Sequence, residues 1–137
     1  MVTTRVGGCL CGAVRYSVVS DEARPMRGIF ACHCVECRRQ SGHYVAATAA
    51  SDDALTVTGG DNLTWFAASP EAKRGFCRIC GSLLFWKADA RSSTSIMAGS
   101  LDGATGLMID RHIFAAEKGD YYTIDDNRPV YEDAGPS

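Results

Sequence analysis

The fold class predicted by this sequence is mainly β, a single small domain held together by metal. Three observations carry that prediction. Short runs of β-branched and aromatic residues recur along the chain, each bounded by glycine- or aspartate-containing turns. In the first half one segment alone, Val35 to Gly42, reads as helical. Seven cysteines among 137 residues fall into three tight groups. A β-rich chain of this length has a modest core, which metal cross-links would help to hold.

In chain order, strands are expected at 13–19 (AVRYSVV), 26–31 (MRGIFA), 44–50 (YVAATAA), 54–59 (ALTVTG) and 62–68 (NLTWFAA). Four more follow at 82–88 (SLLFWKA), 93–99 (STSIMAG), 111–117 (RHIFAAE) and 121–125 (YYTID). Gly59-Gly60-Asp61, Gly75, Gly81, Asp102-Gly103 and Lys118-Gly119-Asp120 read as the turns between them. VECRRQSG reads as a helical turn ending at Gly42, a residue suited to the position just past a helix. The tail NRPVYEDAGPS reads as a short turn and then a poorly ordered end from about residue 128.

Composition narrows the function classes. Hydrophobic residues make up 46% and charged residues 22%, an ordinary globular balance and not a disordered one. A net charge of −2 supplies no broad basic field for nucleic acid or an acidic membrane surface. No apolar run approaches the roughly 20 residues of a spanning helix. The opening MVTTRVGG lacks the apolar core of a signal peptide. The expected location is therefore the cytoplasm, where thiols stay reduced and serve metals or catalysis better than disulfides.

The cysteine groups are Cys9-x-Cys11, Cys32-x-Cys34-x-x-Cys37 and Cys77-x-x-Cys80. Two cysteines within a tight turn form half of a tetrahedral zinc shell. GFCRICGS has the form of a zinc knuckle relieved by Gly81, and GGCLCGA is a tighter half-site flanked by glycines. Two halves make a closed structural site of Cys9, Cys11, Cys77 and Cys80, although spacing alone does not fix which half meets which. Cys32, Cys34 and Cys37 remain. Three protein ligands and one exchangeable position is the usual arrangement of a catalytic zinc, so seven read as four plus three favours an open centre. The alternative is that His33 or His43 closes it. His33 lies between two ligands and should point away from a metal that both grip; His43 is better placed. His112 reads as a hydrogen-bonded, partly buried strand histidine, and Trp65, Phe66, Phe85 and Trp86 read as core or sheet-face residues. Arg38 and Arg39, beside an open zinc, are candidates to bind a substrate carboxylate. Glu36 and His43 are the candidates for a general base.

GGCLCGAVRY, CHCVECRRQSG and FCRICGSLLFW, in that order, resemble the glutathione-dependent formaldehyde-activating enzyme family, which also includes centromere protein V. These segments span residues 7 to 86, and RHIFAAEKGDYY is similar to a later strand of the family. The resemblance implies a zinc-ribbon-containing β-tent fold with two zinc ions. It implies that Cys9, Cys11, Cys77 and Cys80 hold the structural zinc and that Cys32, Cys34 and Cys37 hold the catalytic one. It also implies a carbon–sulfur lyase that makes S-(hydroxymethyl)glutathione from glutathione and formaldehyde. A related small-molecule thiol and aldehyde would suit the same residues. The competing reading is a zinc-stabilised binding module without catalysis, for which nucleic acid is a disfavoured partner.

Overall fold

The computed structural model describes residues 1–136. The chain runs β1 (Thr3–Gly8), β2 (Arg15–Ser20), β3 (Ile29–Cys32), α1 (Val35–Ser41), β4 (Val45–Ser51) and β5 (Leu55–Thr58). It continues through β6 (Leu63–Phe66), β7 (Ala72–Cys77), β8 (Leu83–Ala88), β9 (Ser93–Met97) and β10 (Ile109–Ile113). Strands predominate and there is one α-helix among the described residues, so the mainly β expectation holds. Two compact units form: Met1–Arg27 with Thr48–Gly106, and Gly28–Ala47 with the chain from Leu107 onward.

In the first unit β1, β2 and β5 form an antiparallel sheet in that order. The alternation of RYSVVS explains β2. Tyr16, Val18 and Ser20 are buried while their neighbours face outward, the period of a half-buried strand. Strands β6, β7, β8 and β9 pair antiparallel in succession. The unit's core gathers Val14, Tyr16, Val18, Leu84, Phe85 and Ile96, with Tyr16 edge-on to Phe85 at 5.4 Å between ring centroids.

In the second unit β3 pairs antiparallel with β4 and parallel with β10, placing His112 opposite Ala31. The parallel pairing matters because it lays β10 beside the residues that lead into the central cysteines. Helix α1 follows directly. Cys34 caps its start, its sulfur accepting from the Cys37 amide, and Gly42 ends it in the left-handed conformation at φ 90°. The helix expected over VECRRQSG is therefore found, closed at the glycine that closes it in sequence.

Several expectations need correction. β1 was not anticipated, since TTRVGG has only one strongly apolar residue; its pairing with β2 supplies the order that the sequence does not. β7 was also missed, and Gly75, read as a turn, lies within it. A side chain on Gly75 would meet the Trp65 ring at 3.0 Å, so this glycine lets the indole lie against the strand. The strand expected at 111–117 stops at Ile113, because Phe114 turns left-handed at φ 54° and a 3-10 turn follows at Ala115–Glu117. The segment 121–125 is not a strand: the Tyr122 carbonyl accepts from Lys118 Nζ, and both tyrosine rings pack on histidines. The tail carries ordered backbone hydrogen bonds: His112 donates to the Pro129 carbonyl, Tyr131 to that of His112 and Phe114 to that of Asp133.

Gly59 gives this fold a direct test. It sits at φ 74°, and a Cβ there would lie 1.9 Å from the Ala13 carbonyl oxygen, a backbone atom that cannot step aside. Gly59→Ala should lose at least about 2 kcal/mol in urea unfolding. Gly60→Ala, where a Cβ meets open space, should stay close to the parent.

Candidate metal centres

The first centre lies in the first unit and joins two turns. After β1 the chain reverses through Cys9–Val14, with the Cys9 amide donating to the Val14 carbonyl and the Val14 amide donating to Cys9 Sγ at 3.3 Å. After β7 a second turn is closed by the Gly81 amide donating to the Cys77 carbonyl, while the Ile79 and Cys80 amides donate to Cys77 Sγ. Amides aimed at sulfur stabilise thiolates, which are the metal-binding form. The turns bring together Cys9, Cys11, Cys77 and Cys80, whose sulfurs all lie within 4.8 Å of one another.

The spacing can be compared with what a metal requires. Four thiolates around zinc at about 2.3 Å have sulfur–sulfur edges of about 3.8 Å in a tetrahedron. Here Cys9 and Cys11 are 3.7 Å apart and Cys11 and Cys77 are 3.8 Å apart. Such crowded sulfurs do not ionise alike on their own. Hydrogen bonds from Ser82 pull Cys80 down to about 5. The Ala13 amide favours the Cys11 thiolate, but partial burial and the surrounding sulfurs outweigh it and push that thiol up to about 11. A divalent cation removes this repulsion, so the donor set fits zinc in both spacing and charge.

The second centre lies in the second unit, where β3 runs into α1. Cys32, Cys34 and Cys37 bring three sulfurs within 4.8 Å of one another, and the group stops at three among the described residues. The adjacent Cys34 and Cys37 sulfurs, with burial, drive the Cys32 thiol far above the ordinary thiol range. Three negative sulfurs this close need a cation, and the soft donor set suits zinc.

The histidines near this centre are occupied elsewhere. His33 is fully buried, with Nδ1 bonded to the Tyr122 hydroxyl at 2.5 Å and Nε2 to His112 Nδ1 at 2.9 Å. Burial, with the His112 and His43 rings and Lys118 nearby, pushes the His33 imidazole down to about 4. His112 is 4% exposed and its Nε2 meets Asp126 at 2.8 Å, the hydrogen-bonded strand histidine expected from sequence. His43 is exposed and bonds the Tyr121 hydroxyl at 3.1 Å. Neither His33 nor His43 joins the three sulfurs.

Arg38 and Arg39 sit in the last turn of α1. Arg38 Nε donates to the Glu117 carbonyl and the Val35 amide to the Glu117 carboxylate, so this one residue ties both ends of the helix to the 3-10 turn after β10. Arg39 is exposed. Of the aromatics, Phe85 is buried, while Trp65 and Phe66 stay substantially exposed. Sequence reasoning missed Ser82, Glu117, Tyr122 and Asp126. Ser82 had a signal, lying two residues after Cys80; Glu117 and Tyr122 lie more than 80 residues from Val35 and His33, and Asp126 lies 14 residues from His112.

Comparison with known proteins gives the following likenesses. The family model described as glutathione-dependent formaldehyde-activating enzyme matches residues 4–117. A putative glutathione-dependent formaldehyde-activating enzyme of Halomonas elongata is 30% identical over 129 residues, covering 87% of this chain and 80% of that protein. An uncharacterized lyase of Schizosaccharomyces pombe is 26% identical over 117 residues, covering 85% of this chain and 82% of the relative. Among solved structures, a Rhodobacter sphaeroides protein superposes with a TM-score of 0.59 at 28% identity, over 74% of this chain and 91% of that one.

Ser82 stitches the first centre: its Oγ accepts from the Leu10 amide at 3.0 Å and lies 3.2 Å from Cys80 Sγ. Ser82→Ala should speed metal release to a chelator about 10-fold while leaving all four sulfurs in place. Cys77→Ser should fail to fold or aggregate, since a metal held there would contribute folding energy directly. Cys37→Ser should retain the parent's circular dichroism and bind one metal fewer by mass spectrometry.

Proposed function

Because this chain belongs to the glutathione-dependent formaldehyde-activating enzyme family, we propose that it is a zinc-dependent carbon–sulfur lyase. It forms or cleaves S-(hydroxymethyl)glutathione or a related thiol–aldehyde adduct. What supports this reading is the difference between the two centres. Four sulfurs at Cys9, Cys11, Cys77 and Cys80 complete a structural shell, while Cys32, Cys34 and Cys37 supply only three donors. Cys32, Cys34 and Cys37 would hold a zinc ion, which when bound would supply an exchangeable position favouring the thiolate form of a substrate thiol.

The chain's own residues then bind and orient. Arg39 presents an exposed guanidinium on α1, and Arg38 is steadied at Nε by the Glu117 carbonyl. Either gives a charge-assisted pair for a carboxylate of the thiol substrate. In the forward direction the sulfur bonds to the aldehyde carbon and the C=O π pair moves to oxygen. The proton lost by the thiol ends on the new hydroxyl, so no oxidant or reductant takes part. Residues 1–137 act as one functional domain in the cytoplasm, on small molecules and without nucleic acid or membrane as partner.

Thiols add to formaldehyde unaided, so the informative measurement is a rate. Two-dimensional exchange NMR of glutathione with formaldehyde at equilibrium should show faster exchange with the zinc-loaded protein, abolished in Cys37→Ser. Arg38→Ala and Arg39→Ala should raise the glutathione concentration needed for half-maximal exchange by about 10-fold, the cost of one charge-assisted pair. With both metals bound, unchanged exchange for glutathione and for other thiol–aldehyde pairs would sink the lyase reading and leave a binding module.

A further inference from the structure

A hydrogen-bonded chain of four polar side chains, with His33 and His112 buried at its middle, includes the residue between Cys32 and Cys34, and the proposed reaction makes no use of it. Its members come from three places in the second unit: Asp126 and Tyr122 from the segment after β10, His112 from β10 and His33 from just past the end of β3. The links are Asp126 Oδ2 to His112 Nε2 at 2.8 Å, His112 Nδ1 to His33 Nε2 at 2.9 Å, and His33 Nδ1 to the Tyr122 hydroxyl at 2.5 Å.

The direction of every bond follows from one end. An ionised carboxylate only accepts, so His112 Nε2–H donates to Asp126. With both imidazoles neutral, His112 Nδ1 carries a lone pair and takes the Nε2–H of His33. His33 Nδ1 is then an acceptor as well and takes the Tyr122 hydroxyl proton. Both ring nitrogens of His33 are therefore engaged inside the chain. This is the residue that sits between Cys32 and Cys34, the imidazole nearest in sequence to the three sulfurs.

We propose that Asp126 and His112 are positioning residues that hold His33 away from the three-thiol centre and so keep its fourth metal position free for substrate. This inference rests on the reading of that centre as an open zinc site. Its logic is a competition for one imidazole. Cysteine-rich zinc sites with three thiolates and one histidine are closed and structural; alternation aims His33 away from the sulfurs, and a released imidazole that swung toward them would complete such a site. In the chain, His33 Nε2 carries a proton directed at His112, and Nδ1 spends its lone pair on Tyr122. Neither nitrogen can bind a metal until a partner lets go. His112, itself held by Asp126, is the partner whose loss releases Nε2.

The test uses the full chain loaded with Co2+ and visible absorption, which responds to exchange of oxygen, nitrogen and sulfur ligands. The four-thiolate centre contributes a constant background. In the parent, added glutathione should shift the spectrum as a fourth sulfur joins the three-thiol centre. In His112→Ala the spectrum should already carry a nitrogen ligand, and the thiol-induced shift should be lost. The double variant His112→Ala with His33→Ala should regain the shift. His112→Asn, which still offers His33 an acceptor, should behave like the parent. A merely structural role predicts a different pattern: His112→Ala would loosen metal binding, and removing His33 as well would restore nothing.

A shift in His112→Ala equal to the parent's overturns the proposal, as does a double variant that fails to regain it. A parent that takes up no thiol overturns it too, since no free position would be there to protect. If the parent shifts, the two histidine variants follow the expected pattern and no exchange is accelerated, the positioning role stands and the lyase reading fails.

Discussion

Crowding of cysteine sulfurs is the constraint on which the first unit depends. Two turns lock them in place through backbone hydrogen bonds, Cys9 to Val14 on one side and Gly81 to Cys77 on the other. The resulting sulfur separations of 3.7 and 3.8 Å leave room for a tetrahedral cation and little else. Four ionised thiols at that spacing would repel, and four neutral ones would forgo the amides aimed at them. A metal would satisfy both demands. It would also tie the β1–β2 reversal to the end of β7, helping a small aromatic and aliphatic core centred on Phe85 and Leu84.

The second unit meets a similar crowding with a different solution. Three sulfurs come from six residues of continuous chain, at the junction of β3 and α1, and no fourth ligand reaches them among the described residues. Local geometry accounts for most of this. Cys34 caps the helix and Cys37 sits one turn later, so their sulfurs share a face, and Cys32 alternates with His33 across the end of the strand. Around this junction the unit places polar and aromatic groups in unusual density. Glu117 fastens α1, Tyr44, Tyr121 and Tyr122 pack tilted or edge-on against His33 and His43, and Lys118 lies over the Tyr122 ring.

The left-handed turn at Phe114 connects these features. It ends β10 at Ile113 and redirects the chain into the 3-10 turn that carries Glu117 to the helix. A bulky residue at φ 54° is strained. The surrounding hydrogen bonds, Phe114 to Asp133 and Ala115 to Tyr131, hold it there by using the C-terminal tail as a brace. The tail thus contributes to the site without touching a sulfur.

Much of this protein was determined by the sequence alone. Cysteine spacing is local, and a pair separated by one or two residues can only form half of a metal shell, so the half-sites, the helix closed at Gly42 and the mainly β character were all readable from it. The division of seven thiols into four and three also followed from coordination number. What only the tertiary structure decided was whatever depends on partners far apart in the chain. β1 and β7 exist because neighbouring strands order segments with weak propensity of their own, and Gly75 is a strand residue because Trp65 lies across it. The commitment of His33 to Tyr122 and His112, and of His112 to Asp126, links residues 14 to 89 positions apart. No local pattern records such a link, because a hydrogen bond constrains distance in space and leaves no period in sequence.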